Sequence, residues 1–276
     1  MTDKYAVIGN PIAHSKSPLI HRMFAQQTGQ DISYEAIEAP LDGFAATIER
    51  LRNAGYKGCN VTVPFKIQAY NLVGATITTR ALEAVAVNTI KFDGEITLGD
   101  NTDGAGLVCD IEYNLGVSLQ GKRVLLMGTG GAARGVQMPL VLAKIQRLVI
   151  ATRSIEKAEE MLPHGRQFYK DKFGIEIAAK NYSELGNEQF DVVINATSAG
   201  LTDSEIPLPE TIFAPGALAY DMMYGRETPF MKFAREHGAA VVSDGLGMLV
   251  EQAAEAFYIW RGVRPATAPV IAALRA

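Results

Sequence analysis

The segment RVLLMGTGGAARG, residues 123–135, constrains the fold of this chain more than any other stretch. The run RVLLM is typical of a buried strand, and the residues after the glycines are typical of a helix. Gly128, Gly130 and Ala133 give the pattern G-x-G-x-x-A, whose glycines let the backbone approach a pyrophosphate at a helix N-terminus. This order of strand, glycine turn and helix predicts a dinucleotide-binding unit, with a purely structural turn as the alternative.

Strand-like runs alternate with helix-like segments along most of the chain. Strands buried on both faces, with helices between them, are typical of parallel sheets, and 276 residues suffice for two such domains. A boundary is expected in the polar stretch GDNTDG at 99–104. The predicted strands are 5–9, 58–63, 123–128, 147–152, 190–197 and 217–222, with a hairpin in 87–98 around Asp93-Gly94 and helices in 18–29 and 247–260.

Composition argues against several classes of function. A net charge of −4 does not favour a basic face for nucleic acid. No apolar run reaches the ~18 residues that span a membrane, and no secretory signal is visible, so a cytoplasmic location without a membrane partner is expected. Cys59, Cys109 and the four histidines show no metal-ligand spacing, so no metal is expected.

The end of the second predicted strand of the dinucleotide unit indicates which cofactor binds. An NAD site usually carries an acid about 20 residues after the glycines, where it binds the ribose 2′-hydroxyl. Here the strand ends in Thr152-Arg153-Ser154, and no acid occurs until Glu156. A guanidinium beside two hydroxyls suits a 2′-phosphate, so NADP is predicted. The alternative is that Arg153 is an ordinary solvated arginine.

Lys66 and Asp103 are the candidates for the chemistry. An NADP-linked enzyme that oxidises an alcohol must manage a proton as well as a hydride, and it needs a donor or a charge near the oxygen. In NVTVPFK, residues 60–66, Pro64 ends the strand ladder and Lys66 emerges just past it, where ligands of α/β sheets bind. Asp103 lies at the expected domain boundary. A surface lysine and a turn or N-cap aspartate are the alternatives.

Further polar residues lie where a substrate is expected. Ser17, before Pro18, is predicted to be the N-cap of the first helix. Together with Ser15 it also suits a carboxylate, because a helix N-terminus favours anions. Gln252 is a polar residue on an otherwise apolar helical face, and Tyr224 follows a strand from which it can reach the same region.

Eight segments follow the order found in the shikimate dehydrogenase family, from residue 9 to 253: GNPIAHSKSP, NVTVPFK, AVNT, GDNTDG, GTGGAARG, NATSAG, YDMMY and DGLGMLVEQA. The chain therefore resembles that family over nearly its whole length. The resemblance implies a reversible NADP-linked reduction of 3-dehydroshikimate to shikimate, in the pathway to aromatic amino acids. An NAD-using quinate/shikimate dehydrogenase should carry an acid after the second strand. A regulator that has lost turnover should lack Lys66 or Asp103.

The resemblance also implies roles for individual residues. Lys66 and Asp103 correspond to the catalytic pair, and Ser15 and Ser17 to the groups that bind the substrate carboxylate. The other implied substrate contacts are Thr62, Asn88, Tyr224 and Gln252. The implied cofactor contacts are Gly128, Thr129, Gly130, Gly131, Ala132, Thr152, Arg153, Ser154, Lys157, Thr197, Met222, Gly245 and Met248. The family often has Asn-Arg-Thr at 152–154, so this chain lacks an amide there.

The fold class that the resemblance implies is α/β, with two α/β domains around a cleft, the second a Rossmann-type doubly wound parallel sheet. The substrate-binding and catalytic domain would comprise 1–103 plus 239–276, and the NADP-binding domain 104–238. The implied cofactor is NADP(H), and the implied partner is the small-molecule substrate. The alternatives of a monomer and a homodimer stay open.

Overall fold

The computed structural model describes residues 2–162, 165–197 and 207–276 and divides into two units. Unit 1 comprises Met1–Gly106 and Leu249–Ala276, and unit 2 comprises Leu107–Met248. Residues 104–106 therefore fall in unit 1 and residues 239–248 in unit 2, whereas the family resemblance implied the opposite assignment for both segments. The reason for 239–248 is that Val241–Ser243 form a strand that pairs with the sheet of unit 2.

The described elements alternate between strands and helices. The strands are β1 (Asp3–Gly9), β2 (Ile32–Glu38), β3 (Tyr56–Val61), β4 (Thr89–Asp93), β5 (Ile96–Asp100), β6 (Arg123–Met127), β7 (Arg147–Thr152), β8 (Glu176–Asn181), β9 (Phe190–Asn195), β10 (Phe213–Asp221) and β11 (Val241–Ser243). The helices are α1 (Ser17–Thr28), α2 (Phe44–Asn53), α3 (Lys66–Val73), α4 (Thr79–Ala84), α5 (Asp103–Cys109), α6 (Gly131–Leu142), α7 (Ile155–Glu159), α8 (Gly165–Phe173), α9 (Pro229–Glu236), α10 (Leu246–Arg261) and α11 (Ala268–Arg275). A π-helical turn, Asp110–Asn114, follows α5.

Unit 1 is built on a mixed sheet in the order β2-β1-β3-β4-β5. β1 is parallel to both β2 and β3, whereas β4 is antiparallel to β3 and β5. The predicted hairpin is confirmed, and its turn residues are Gly94 and Glu95, because Asp93 pairs with Ile96. Gly94 has a φ of 59°, a value that a residue without Cβ adopts at no steric cost.

The C-terminal helices complete the core of unit 1. A cluster of fully buried side chains joins α1 to α10 and includes Ile20, Phe24 and Phe257. The indole nitrogen of Trp260 donates a hydrogen bond of 3.0 Å to the carbonyl of Ile90 in β4. Burying such a polar end with a partner lets a large aromatic ring fill the core without an unsatisfied group. The distant segment 249–276 is thus an integral part of this unit.

Unit 2 confirms the predicted parallel sheet. Its strands lie in the order β11-β10-β9-β6-β7-β8, and every neighbouring pair is parallel. This is the doubly wound order of a Rossmann fold, with the change of direction between β6 and β9. The strands are buried apolar runs, as in Val124–Met127 and Val192–Ile194, because helices cover both faces of the sheet.

Candidate active site

The carboxyl ends of β1 and β3 form one side of the candidate site in unit 1. β1 lies between β2 and β3, so the chain changes direction there, and ligands of α/β sheets bind at such points. The backbone N–H of Asn10 donates to the carbonyl of Val63 at 3.1 Å, and that of Thr62 donates to the carbonyl of Ile8 at 2.9 Å. These bonds hold the loops that carry Ser15, Thr62 and Lys66 side by side.

β3 ends earlier than predicted. The strand stops at Val61, and Val63 is 68% exposed instead of continuing a buried face. The backbone of Phe65 then donates to the carbonyl of Thr62 at 3.0 Å, and α3 begins at Lys66. Lys66 therefore occupies the first turn of a helix directly after the sheet edge, which fixes where its side chain starts.

Lys66 and Asp103 form a close ion pair. The distance between Lys66 Nζ and Asp103 Oδ2 is 2.5 Å, and the two side chains are 17% and 9% exposed. A charge-assisted hydrogen bond of this length holds the ammonium in one place. The structure thus brings together the two residues that the sequence named as candidates for the chemistry.

Asn88 orients the carboxylate of Asp103. Its Nδ2 donates to Asp103 Oδ1 at 2.8 Å and to Thr102 Oγ1 at 3.0 Å. Its Oδ1 accepts from the backbone of Thr102 at 2.8 Å and from the hydroxyl of Thr89 at 2.9 Å. Both the nitrogen and the oxygen of this buried amide therefore bond within the protein, and the nitrogen fixes the oxygen of Asp103 that Lys66 does not use.

The turn that carries Asp103 is held by a second set of polar groups. The backbone N–H of Asp103 donates to Asn101 Oδ1 at 3.1 Å, and that of Asn101 donates to Asp100 Oδ1 at 2.7 Å. Arg80 donates two hydrogen bonds to Asp100, from Nε to Oδ1 at 2.6 Å and from Nη2 to Oδ2 at 2.8 Å. Burial disfavours the charge of Arg80, but Asp100 and Glu255 outweigh it and raise the pKa of this guanidinium.

Gln252 reaches the same network from α10. The hydroxyl of Thr102 donates to Gln252 Oε1 at 3.3 Å, and Gln252 Nε2 donates to the carbonyl of Leu249 at 2.9 Å. The polar residue on this otherwise apolar helical face, Gln252, is therefore accounted for by these two hydrogen bonds. A residue far along the chain from Lys66 joins the polar cluster because the C-terminal helices belong to unit 1.

Two stacked rings, those of Tyr34 and His21, are linked to the hydrogen-bond network of Asn88 through Asn60 and Thr89. Tyr34 Oη donates to Asn60 Oδ1 at 2.7 Å, and Asn60 Nδ2 donates to Thr89 Oγ1 at 3.0 Å. The imidazole of His21 stacks on the ring of Tyr34 with centroids 4.1 Å apart. Complete burial lowers the pKa of His21 to about 3, with a smaller opposing effect of Asn60. The imidazole is therefore neutral at physiological pH.

The prediction that Ser17 is an N-cap is wrong. The N-cap position is Lys16, which already has helical angles, and Ser17 is the first residue of α1. The backbone N–H of Ser17 donates instead to Ser15 Oγ at 3.3 Å. Both hydroxyls therefore lie at the N-terminus of α1, where the positive end of the helix favours a negatively charged ligand.

The glycine loop of unit 2 leads from β6 into α6. Gly128 has a φ of 101°, and a Cβ there would lie 3.1 Å from Thr197 Cγ2, so the position requires glycine. At Gly130 and Gly131 a Cβ would meet no protein atom within 4 Å. The first turn of α6 thus presents free backbone N–H groups on an open face. Ala132 follows in that turn, and Thr129 lies between Gly128 and Gly130 in the loop.

The predicted adenosine-phosphate patch follows β7. Arg153 and Lys157 are exposed, whereas Thr152 is 6% exposed and its hydroxyl accepts from the backbone of Ser154 at 3.1 Å. The hydroxyl of Ser154 donates to Glu156 at 3.0 Å. The two cationic side chains are therefore exposed at the turn, whereas the hydroxyl of Ser154 donates within it and the hydroxyl of Thr152 accepts within it.

The remaining predicted cofactor contacts follow the strands of the other half of the sheet. Thr197, after β9, donates from both its backbone and its hydroxyl to Asn195 Oδ1, at 3.1 and 2.7 Å. Met222 follows β10, and Gly245 packs so closely on the backbone of Met222 that a Cβ would overlap it. Tyr224 also follows β10 and belongs to unit 2, and burial raises the pKa of its hydroxyl. Residues 198–200 of the NATSAG segment lie outside the described residues.

Sequence reasoning missed several residues that hold the pair of Lys66 and Asp103 in place. Arg80 lies in no recognisable motif, and Asn101 and Thr102 lie within GDNTDG but were assigned no role. Their partners Glu255, Ala86 and Asn88 lie elsewhere in the chain. The one available signal was the density of polar residues in GDNTDG, a segment whose six residues are all buried.

Two further expectations from the sequence concern metal-binding clusters and membrane-spanning helices. Among the described residues, histidine, cysteine, aspartate and glutamate side chains form no group of three that could hold a metal ion. In the same part of the chain, every helix is too short or too polar to cross a bilayer.

Comparison with known proteins identifies three matching segments. Residues 7–90 match the shikimate dehydrogenase substrate binding domain, residues 111–202 the shikimate / quinate 5-dehydrogenase family, and residues 245–275 the shikimate 5′-dehydrogenase C-terminal domain. The shikimate dehydrogenase (NADP(+)) of Methylobacillus flagellatus is 58% identical over 274 residues, which cover 99% of each chain.

Solved structures agree with these matches. The crystal structure of an Ael1 enzyme from Pseudomonas putida has a TM-score of 0.90 at 46% identity and covers 99% of this chain and 98% of its own. The shikimate 5-dehydrogenase of Thermus thermophilus, in complex with NADP(H) and shikimate, has a TM-score of 0.85 at 30% identity and covers 99% of both chains.

Proposed function

The chain belongs to the shikimate dehydrogenase family, and from this premise we propose that it catalyses the reversible NADPH-dependent reduction of 3-dehydroshikimate to shikimate. The observation that carries the proposal is the 2.5 Å pair of Lys66 and Asp103, which is fixed at the carboxyl edge of the unit 1 sheet. A dehydrogenase needs a positioned proton donor at the reacting oxygen, and this pair supplies one. The reaction belongs to the pathway of aromatic amino-acid synthesis.

Unit 1 would bind the substrate. Its carboxylate is assigned to Ser15 and Ser17, since two hydroxyls at the N-terminus of α1 suit an anion. The hydroxyls of the substrate are assigned to polar groups around the catalytic pair, namely Thr62, Asn88 and Gln252. Tyr224, from unit 2, is proposed as a further substrate contact.

Unit 2 would bind NADP(H), and its residues fit that cofactor. The open faces of Gly130 and Gly131 leave room for a pyrophosphate beside the N–H groups of α6. Thr129 and Ala132 extend this loop. Arg153 and Lys157, with Thr152 and Ser154, would surround the 2′-phosphate. Thr197, Met222, Gly245 and Met248 would contact the other half of the molecule.

Lys66 would manage the proton of the reaction. When bound, NADPH supplies the hydride to the carbonyl carbon. A lysine ammonium has three N–H groups, and with one of them bonded to Asp103 the others are available to the substrate oxygen. The ammonium would stabilise negative charge that develops on this oxygen and donate a proton to it, and Asp103 would keep the nitrogen in place. Oxidation of shikimate is the same step in reverse.

The proposal includes a cytoplasmic location, because Cys59 and Cys109 are both thiols, as is usual in a reducing compartment. It holds for a monomer and for a homodimer, because one chain supplies all the residues assigned to the reaction.

A spectrophotometric assay at about 340 nm, where NADPH absorbs, tests the proposal. Shikimate and quinate are each offered with NADP and with NAD, and ethanol, lactate and malate serve as unrelated alcohols. We expect turnover of shikimate with NADP and little turnover of the three unrelated alcohols. A folded preparation that binds NADP but does not oxidise shikimate would contradict the proposed activity.

A further inference from the structure

Asp110 is a buried carboxylate in unit 2 that the proposed reaction does not use. It is 2% exposed and lies in the π-helical turn after α5. The hydroxyl of Tyr220 donates to its Oδ2 at 2.6 Å, and Asn114 Nδ2 donates to its Oδ1 at 2.9 Å. A buried charge is costly unless hydrogen bonds compensate it, so the surroundings of Asp110 are built to hold it in place.

The carboxylate of Asp110 and the hydroxyl of Tyr220 lie against the turn 244–248, at the start of α10. The backbone N–H of Met248 donates to Tyr220 Oη at 3.3 Å. A Cβ at Gly247 would overlap the carboxylate of Asp110, so a glycine is required there. The hydroxyl of Tyr220 therefore links β10, the strand next to the edge strand β11, to the backbone of this turn.

The same turn is fixed from its other side. The N–H of Gly245 donates to the carbonyl of Met223 at 2.8 Å, and a Cβ at Gly245 would overlap the backbone of Met222. The N–H of Leu246 donates to Asp244 Oδ1 at 3.4 Å. These contacts hold the turn 244–248 in a single conformation. Such rigidity suits a surface that must be preorganised for a ligand.

The location of the turn indicates which part of the cofactor it meets. In a doubly wound sheet, each half binds one mononucleotide of a dinucleotide. Arg153 follows β7 in one half, where the adenosine phosphate is assigned. Thr197, Met222 and the turn 244–248 follow β9, β10 and β11 in the other half, which leaves the nicotinamide mononucleotide for them.

We propose that Asp110 and Tyr220 are positioning residues that hold the turn 244–248 against the nicotinamide half of the cofactor. The proposal rests on the NADP site of the proposed function. Neither residue needs to touch the cofactor, because Tyr220 acts through the backbone of Met248 and Asp110 acts through Tyr220 and Gly247. Complete burial, together with the charge of Asp110, raises the pKa of Tyr220 well above its usual range, so its hydroxyl remains a donor.

Tyr220→Phe tests the proposal, because it removes the hydroxyl and keeps the ring. Binding of NADPH is compared with binding of 2′,5′-ADP, which has the adenosine phosphate but no nicotinamide. We expect the variant to bind NADPH at least about fivefold more weakly, with a lower kcat, since the buried hydrogen bonds of the hydroxyl to Asp110 and Met248 are both lost. The Kd for 2′,5′-ADP and the KM for shikimate should stay unchanged.

Tyr169→Phe is the matched control. Tyr169 is equally buried in the same hydrophobic cluster of unit 2, and its hydroxyl accepts a hydrogen bond of 3.3 Å from Gln137 instead. This variant should bind both ligands as the wild type does. In a second series, Asp110→Asn keeps an acceptor oxygen for Tyr220, so it should recover much of the NADPH affinity that Asp110→Ala loses.

Equal weakening of NADPH and 2′,5′-ADP by Tyr220→Phe would overturn the proposal, because it would indicate general damage to unit 2. Unchanged binding of both ligands would overturn it as well, as would a wild type that does not bind NADPH. Failure of the proposed function has a different signature. The wild type would bind NADPH without oxidising shikimate, while the selective effect of Tyr220→Phe on NADPH binding persisted.

Discussion

The surroundings of Lys66 in unit 1 and the glycine loop of unit 2 hold their functional groups by opposite means. Asp103 and Lys66 are fixed by side chains, and Asn88 alone joins Asp103, Thr102 and Thr89. The loop at 128–131 offers backbone N–H groups, and its glycines leave the space in front of them open. A side-chain site depends on many residues outside its motif, whereas a backbone site depends on the conformation of a few residues within it.

The largest effect should come from the reacting end of the side-chain network. Lys66→Met keeps an unbranched side chain of similar length and removes the nitrogen that is proposed to donate the proton. Positioned proton transfer contributes about 10²- to 10⁴-fold, so kcat should fall at least ~10²-fold while the Kd for NADPH stays the same. Lys57→Met, at an exposed position on β3, is the control and should retain wild-type kcat. An unchanged kcat in Lys66→Met would show that the lysine takes no part in the reaction.

The second prediction tests whether a side chain, that of Arg153, contributes to cofactor binding in unit 2. Arg153 projects from the turn after β7, and a guanidinium can meet a 2′-phosphate with two charge-assisted bonds. Such bonds contribute about 1.5–3 kcal/mol, so Arg153→Ala should lower the NADP/NAD ratio of kcat/KM by roughly 10- to 150-fold.

The control for this variant is Arg235→Ala, which removes an exposed arginine elsewhere in unit 2. It should leave the NADP/NAD ratio as it is. Equal loss of kcat/KM with NADP and NAD in Arg153→Ala would mean that the arginine does not read the 2′-phosphate.

The sheet of unit 2 and the candidate site residues could be predicted from the sequence, because their signals are local motifs. The alternation of buried strand-like runs with helices predicted the parallel sheet of unit 2, and NVTVPFK with GDNTDG named Lys66 and Asp103. Each of these signals depends on residues that are close together in the chain.

The supporting contacts that join distant parts of the chain could not be predicted. Arg80 meets both Asp100 and Glu255, and nothing in the residues around it indicates either partner. The N-cap prediction failed for a local reason, because Lys16 already has helical angles and the helix begins one residue earlier than Pro18 suggested. Only the folded backbone decides that.

The third effect concerns the buried end of the side-chain network. The pKa of His21 is about 3 in the folded protein, below the ~6.5 of an unfolded histidine. As the pH falls below about 6.5, the unfolded chain takes up a proton that the folded chain does not, so the free energy of unfolding decreases. At pH ~5 the loss from this one group should be about 2 kcal/mol, and it should grow until the pH nears 3.

Urea unfolding between neutral pH and pH ~5 measures this loss. His21→Phe keeps a ring to stack on Tyr34 and lacks the titrating group, so its stability should fall less with acid than that of the wild type. His14→Gln changes an exposed histidine and should keep the wild-type dependence. The same pH dependence in the wild type and His21→Phe would show that the imidazole is protonated in the fold.

The smallest effects are expected when threonine is replaced by alanine once in the side-chain network of unit 1 and once in the glycine loop of unit 2. Thr102 is completely buried, and its hydroxyl bonds to Asn88 and Gln252. Thr102→Ala should therefore lower the free energy of unfolding by about 1 kcal/mol and reduce kcat several-fold, because Asn88 then orients Asp103 less well. Thr129 is partly exposed at the tip of the glycine loop, where the backbone provides the N–H groups. Thr129→Ala should leave the KM for NADP within about twofold of the wild type, since no backbone donor is lost. Stability, kcat and the KM for NADP are measured for both variants, and a larger effect of Thr129→Ala than of Thr102→Ala would mean that the loop also binds its ligand through a side chain.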